Sequence, residues 1–178
     1  MGAMVFWKII AAFVRGVDGL SDWLGRTVAW LSLGMVAITF LVVVLRYGFG
    51  LGWIALQESV VYLHATLFLL AAAYTLKHDA HVRVDIFYQR LGPVGRAWID
   101  LLGTWLLLVP VCAFIAWISW DYVAAAWAVK EASREAGGLP AVFLLKSLIP
   151  LFAVLLALQG LAQGFKALAV IAGRPLEA

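Results

Sequence analysis

Four long apolar tracts, separated by short polar segments, dominate the hydrophobic pattern of this chain. They run approximately over residues 27–49, 56–76, 97–120 and 141–165. Each is near the roughly 20 residues that a helix needs to cross the hydrocarbon core of a bilayer. The tracts are continuous apolar runs and lack the strict alternation of an outer-membrane barrel strand. The pattern therefore predicts an all-α membrane protein, in which residues 27–165 form a domain of four transmembrane helices.

The segment before the first tract, residues 1–26, has a different pattern. Its apolar residues recur at intervals of three or four, with charged residues between them, which is typical of an amphipathic helix. The segment lacks the compact apolar core and small-residue cleavage site of a signal peptide, so we expect an uncleaved helix in the plane of the lipid headgroups. The apolar positions are Phe6, Ile9, Ile10, Phe13, Val17, Leu20 and Leu24.

The connections between the tracts predict two antiparallel hairpins. Spans one and two are joined by GFGLGWIAL, which is short and uncharged and favours a tight turn. Spans two and three are joined by KHDAHVRVDIFYQRLGPVG, where Asp85 can cap a short interfacial helix whose apolar side chains dip toward lipid. The segment EAGGLP breaks the chain before span four. Residues 166–178 are expected to form a cytoplasmic tail.

The charges are few and gather at the ends of the tracts. Only 13% of the residues are charged, which argues against a soluble enzyme because soluble domains carry about 25%. Of the 13 Lys and Arg residues, nine fall on one side of the predicted membrane, so both termini are expected on the cytoplasmic face of a bacterial inner membrane. The basic residues form no run, and the net charge of +3 therefore indicates topology rather than nucleic-acid binding.

Two charged residues flank the first hairpin at equal depth. Taking Gly52 as the middle of the turn, Arg46 lies six residues before it and Glu58 six after it. A charge at membrane depth is costly, so we expect an ion pair that holds the hairpin closed, with a proton or ion site as the alternative. Lys146 in span four can snorkel outward or compete for Glu58. Trp53 belongs to an expected outer belt of aromatic residues.

Other polar or small residues within the spans have structural explanations. Asp100 lies near the start of span three, where the helix dipole favours a carboxylate and Arg96 is one turn away. His64 is the only histidine well inside a span, and we expect it to make an interhelical hydrogen bond. Gly160 and Gly164 form a GxxxG pair that allows close helix approach, inside the bundle or against a partner.

The chain carries no motif for catalysis, metal binding or cofactor binding. It contains no HExxH, GxSxG or Walker A sequence, and the single Cys112 lies within a span without a thiol motif. Haem-b anchor subunits generally use two facing histidines, whereas His78 and His81 lie in the loop after span two, which disfavours a bis-histidine haem. The spans also supply few polar side chains to line a pore.

A short motif after span two, and the order of elements around it, are more specific. The sequence HVRVD at residues 81–85 follows a span that opens with Trp53 and Glu58 and ends in an alanine-rich segment. From about the first span to Phe165, this order resembles the small membrane subunit of tripartite ATP-independent periplasmic (TRAP) transporters, which is of the DctQ type. The motif matches that family's His-x-x-Val-Asp pattern. Residues 133–150 are similar to a carboxylate-associated branch of the family.

The resemblance implies sodium-coupled uptake of an organic acid by a three-part system. A large membrane subunit on a separate chain would carry the sodium and substrate sites, a soluble periplasmic protein would deliver the acid, and this subunit would brace the stationary scaffold. The motif would either cap a helix through Asp85 and contact headgroups through Arg83, or form a cytoplasmic cluster of His81, Arg83 and Asp85. The alternative function is the membrane anchor of a haem- or quinone-binding redox complex, and a small channel ranks third.

Overall fold

The computed structural model describes residues 2–82, 86 and 88–174, which form helices joined by loops and contain no strand. A 3₁₀ turn at Tyr88–Arg90 precedes the fourth helix, and a π-helical segment at Thr104–Leu108 joins the fourth helix to the fifth. The helices are α1 (Gly2–Ala29), α2 (Leu31–Phe49), α3 (Ile54–Lys77), α4 (Pro93–Gly103), α5 (Val109–Ala128) and α6 (Val142–Ile171).

Within the described residues, four helical stretches are long and apolar enough to cross a membrane. They are Met4–Phe49, which joins α1 and α2, then α3, then Pro93–Ala128, which joins α4 and α5, and finally α6. The predicted all-α fold with four membrane-crossing helices is thereby confirmed. Helix α6 continues to Ile171, beyond the expected start of the tail at residue 166, because small residues there still have a buried face.

Helices α3 and α6 form the centre of the bundle. Helix α6 contacts α1, α3, α4 and α5, while α3 contacts α1, α2 and α6. Helix α2 packs mainly against α3, and none of its residues is buried. Helix α2 ends at Phe49, and the next residue, Gly50, has a φ of +67°. This turn lets the N–H of Leu51 donate to the carbonyl of Leu45 over 3.0 Å.

Helix α1 packs part of its apolar face against α6. Ile10, Val14 and Val17 are buried and form a cluster with Ala162 of α6, with aromatic rings from both helices around them. Burial of these apolar side chains between α1 and α6 stabilises the contact between the two helices. The amphipathic pattern thus has a protein partner inside the chain, and the position of α1 relative to the lipid headgroups stays a prediction.

The π-helical segment has its physical cause in Pro110. Proline has no N–H, and its ring clashes with the carbonyl group four residues earlier in a regular α-helix. The turn before Pro110 therefore widens, and the N–H of Val109 donates to the carbonyl of Thr104, five residues back. The result is a bulge in the third span on the side where α6 packs.

Gly160 and Gly164 of α6 face this bulge. A Cβ atom at Gly160 would lie 2.6 Å from Cδ2 of Leu108, and one at Gly164 would lie 2.9 Å from Nε1 of Trp105. The two glycines let α6 approach the third span more closely than larger residues would allow. Of the two expectations for the GxxxG pair, the structure supports packing inside the bundle.

The short interfacial helix expected after span two falls partly outside the described residues, which do not include Arg83, Asp85 and Phe87. The described part of this connection contains the single 3₁₀ turn Tyr88–Arg90. The Asp85 helix cap therefore stays a prediction.

We name the two ends of the bundle for later reference. The end at the connection between α3 and α4 is the α1 end, and the end formed by the loops at residues 50–53 and 129–141 is the Trp53 end.

Candidate functional site

A buried polar cluster joins α1 to α6, and we call it the Asp18 cluster: Asp18, Ser21, Gln159 and Lys166. Nε2 of Gln159 donates to Oδ1 of Asp18 over 2.9 Å, and Oγ of Ser21 donates to Oε1 of Gln159 over 2.7 Å. Nζ of Lys166 lies 2.7 Å from the other carboxylate oxygen of Asp18. Gln159 is 0% exposed. These mutual bonds offset the desolvation cost of burying the cluster.

The same part of α1 is also bound to α3. Nζ of Lys77 donates to the carboxylate of Asp22 and, over 3.3 Å, to the backbone carbonyl of Asp18. Nε2 of His78 lies 3.0 Å from Oδ1 of Asp22, and the His78 ring packs on Tyr74 with centroids 4.3 Å apart. Helices α1, α3 and α6 are therefore fastened together at one level of the bundle.

Sequence reasoning did not identify Asp18 or Gln159 as important. Gln159 and Gln163 are spaced by one helical turn in an otherwise apolar span, and Nε2 of Gln163 donates to the carbonyl of Leu76 over 3.2 Å. Amide side chains within an apolar span need hydrogen-bond partners. This spacing is the signal that could have predicted a polar contact on one face of α6.

His81 ties the connection after span two back to α3. Its Nε2 donates to the carbonyl of Ala72 over 3.2 Å. Arg83 and Asp85, the other two residues of the expected cytoplasmic cluster, lie outside the described residues. The cluster of three therefore stays a prediction, while the structure gives His81 a local anchoring contact.

Asp100 and Arg96 bind different partners from those expected. Oδ2 of Asp100 accepts a 2.8 Å hydrogen bond from the hydroxyl of Tyr88. Arg96 donates to the carbonyls of Leu91 and Gln89 over 3.0 and 2.9 Å. The preceding 3₁₀ turn brings these partners over the start of α4, so both side chains fold back onto the connection.

A cavity of about 600 Å³ opens between α4 and α6 beside these residues. Its described wall contains two acidic residues, Asp79 and Asp100, and two basic residues, Arg96 and Lys166. Opposite charges in equal number give this part of the wall no positive excess to concentrate an organic anion.

At the Trp53 end, Glu58 is bound by the loop between α5 and α6. Its carboxylate accepts a hydrogen bond from Oγ of Ser133 and a 2.6 Å bond from the backbone N–H of Leu139. A Cβ atom at Gly138 would lie 2.8 Å from Oε2 of Glu58, so this close approach requires glycine. The expected ion pair with Arg46 is wrong: loop donors occupy the carboxylate, and Arg46 is exposed.

Lys146 does not compete for Glu58 as expected. It forms an ion pair with Glu131 and lies 3.9 Å from the centroid of the Tyr122 ring. Nε1 of Trp127 donates to Oγ of Ser147 over 2.8 Å. These contacts fasten the segment after α5 to the start of α6, so the loop at residues 129–141 is held on both sides.

Trp53 and His64 lie on exposed surfaces. Trp53 is 60% exposed and precedes the first turn of α3 with an extended backbone. His64 lies near the middle of α3, and the ring of Phe68, 6.1 Å away between centroids, is its contact in the structure. Among the described residues His64 makes no interhelical hydrogen bond, so the expected bond stays a prediction that only a helix outside this chain could satisfy.

Among residues 2–82, 86 and 88–174, no group of three or more His, Cys, Asp or Glu side chains could hold a metal ion. The ion pairs described above, Asp18 with Lys166, Asp22 with Lys77 and His78, and Glu131 with Lys146, join helices or loops. This chemistry supports a fixed arrangement of helices.

Comparison with known proteins gives a family for this architecture. The family model described as "Tripartite ATP-independent periplasmic transporters, DctQ component" matches residues 35–170. The chain belongs to the DctQ family. A protein of Haemophilus influenzae named as a TRAP transporter small permease is 34% identical to it over 86 residues. That alignment covers 48% of this chain and 53% of the relative, so the chain spans about half of the relative's length.

As a member of the DctQ family with four helical stretches that could cross a membrane, the chain is a multi-pass membrane protein. No solved structure is significantly similar to it. Family membership places it among transport components rather than among the redox anchors that the sequence left as an alternative.

Proposed function

We propose that this DctQ component is an accessory subunit of a sodium-coupled transporter for organic acids, with carboxylates as its substrates. It braces a large membrane subunit on a separate chain, and a periplasmic substrate-binding protein delivers the acid. The chain is multi-pass in the bacterial inner membrane, with the α1 end and both termini in the cytoplasm. No bound cofactor or catalytic step of its own is needed.

The observation that carries this proposal is the Asp18 cluster. Asp18 and Gln159 are hydrogen-bonded to each other inside the chain. Lys166 binds the second carboxylate oxygen of Asp18, and Ser21 binds the amide oxygen of Gln159. A substrate path needs polar groups that exchange partners with the passing solute. Groups that hold one another across two helices suit a rigid support, because a movement of either helix would break several bonds at once.

Apolar surface supports the same proposal. None of the residues of α2 is buried, and α5 exposes large apolar side chains along its length. Such surfaces are stable in lipid or against other transmembrane helices. A small bundle of this kind is suited to extend the membrane-embedded area of a larger partner, while its own polar groups stay paired.

Several residues keep proposed roles in the complex. Arg46 and Trp53 are exposed at the Trp53 end, where they can contact headgroups or the large subunit. His81, Arg83 and Asp85 are proposed to form a cytoplasmic contact with the large subunit. Gly160, Gly164, Glu58 and Lys146 act within the chain by packing helices and fastening the outer loop.

Transport in liposomes tests the sodium and substrate parts of the proposal. The partner large subunit is reconstituted with this chain, the binding protein is added outside, and labelled mono- and dicarboxylates and a neutral sugar are offered with and without an inward sodium gradient. Accumulation of one acid only with the gradient is expected. Equal uptake without sodium, or uptake of a neutral sugar in place of an acid, would contradict the proposal.

A further inference from the structure

One face of α3 carries a row of exposed side chains that runs from its first turn past its middle and includes two polar residues. Gln57, Val61, His64 and Phe68 are exposed and follow one another at intervals of four, three and four residues, which places them on one face of the helix. We call these residues the His64 stripe. Helices α1, α2 and α6 contact α3, but the four residues of the stripe stay exposed, so the stripe is a free surface of the described chain.

His64 lies near the centre of the 24-residue helix α3. A histidine in the middle of a lipid-facing surface is costly, because hydrocarbon offers no partner to the two ring nitrogens. In the described structure, the ring stacks with Phe68 and makes no hydrogen bond. The unmet hydrogen-bonding capacity at this depth requires a partner from outside the chain.

The exposed surfaces of α2 and α5 are mostly apolar near mid-helix. Val36 and Phe40 on α2, and Phe114 and Ile118 on α5, are exposed and apolar, and lipid tails solvate such side chains well. In the apolar tracts at residues 27–49, 56–76, 97–120 and 141–165, no other histidine, acid or base occupies the central third. The His64 stripe is therefore the exposed surface where contact with a protein partner is favoured over contact with lipid.

We infer that the His64 stripe docks against a transmembrane helix of the large membrane subunit, which offers His64 a hydrogen-bonding side chain or an open backbone carbonyl. Val61 and Phe68 pack on the same helix above and below this bond. This inference rests on the proposed function, since it assigns the face through which the brace acts.

Photo-crosslinking tests the inference directly. Benzoylphenylalanine is placed at Val61 on the stripe or at Val36 on α2, two exposed valines of similar surroundings in the free chain. Both variants are co-expressed with the large subunit and irradiated in intact membranes. A crosslinked product with the large subunit is expected from position 61 and not from position 36. A product from position 36 alone, or lipid adducts alone at position 61, would overturn the inference.

Two substitutions at His64 test the hydrogen bond. His64→Leu should lower the large subunit recovered with the tagged small subunit about tenfold, whereas His64→Gln, which keeps hydrogen-bonding groups, should retain most of it. Phe40→Leu on α2 is the matched control and should change nothing. Equal recovery with His64→Leu and wild type would overturn the inference. If wild-type protein recovers no large subunit, the proposed function fails as well, whereas crosslinks from position 36 alone leave that function standing.

Discussion

Gln159, in the middle of α6, donates a 2.9 Å hydrogen bond to Asp18 of α1, and both side chains are buried. The bond joins residues 141 positions apart in the chain. It fixes the N-terminal helix on the bundle and leaves neither group free to serve a passing solute. The stability of α1 on the bundle should therefore depend on a few polar atoms.

Gln159→Leu should destabilise the isolated chain by about 1 to 3 kcal/mol, because Asp18 and Ser21 each lose a partner in a buried site. Thermal unfolding in detergent, followed by far-UV circular dichroism, measures this loss. Gln57→Leu is the control, since Gln57 is exposed on α3, and it should shift the free energy of unfolding by less than about 0.5 kcal/mol. Equal effects of the two changes would show that the Gln159 bond is unimportant.

Asp18→Asn should loosen α1 specifically. The substitution removes the charge that pairs with Lys166 while keeping an acceptor for Gln159. Hydrogen exchange at the backbone amides of α1 should rise about tenfold or more, while exchange in α5 stays unchanged. Asp121→Asn, at an exposed position of α5, is the control. Unchanged protection of α1 in the Asp18 variant would contradict the role of the cluster.

Gly164→Ala should destabilise the bundle, because the new Cβ atom would lie 2.9 Å from the rigid ring of Trp105. The expected loss is about 1 to 3 kcal/mol. Gly48→Ala provides a matched comparison in α2, where a Cβ atom meets nothing within 4 Å. That change should stabilise the helix by about 0.5 to 1 kcal/mol. The same sign for both substitutions in thermal unfolding would refute close packing at Gly164.

Glu58→Gln should release the loop at residues 129–141. The amide offers one acceptor oxygen where the carboxylate binds both Ser133 and the N–H of Leu139. Limited proteolysis within this loop should become about tenfold faster, as expected for a segment that opens more often. Glu135→Gln, in the same loop but exposed, should leave the rate unchanged. A faster rate in the Glu135 variant alone would exclude Glu58 as the anchor.

The four membrane-crossing helices could be predicted because a long apolar run is a local signal. The partner of Glu58 could not be predicted in the same way. Counting residues from the turn at Gly52 gives the depth of Arg46 and Glu58 but not the direction in which each side chain points. Ser133 and Leu139, about 80 residues further along, supply better donors than Arg46 through a tight approach at Gly138.

The Asp18 cluster shows the same limit for long-range contacts. The polarity of Gln159 and Gln163 is visible in the sequence, but their partners lie on α1 and at the end of α3. The GxxxG pair was visible too, while its packing partner depends on the bulge before Pro110. Polar and small residues within a span can thus be recognised as contact points before the contacts themselves are known.

Omission of single components from the reconstituted transporter tests the central claim most directly. Sodium-driven uptake of the organic acid is measured with all three components, without this DctQ component, and with this component alone. The account predicts uptake with the complete set and none with this component alone or without it. Transport by this component alone, or full uptake in its absence, would contradict its role as an accessory brace.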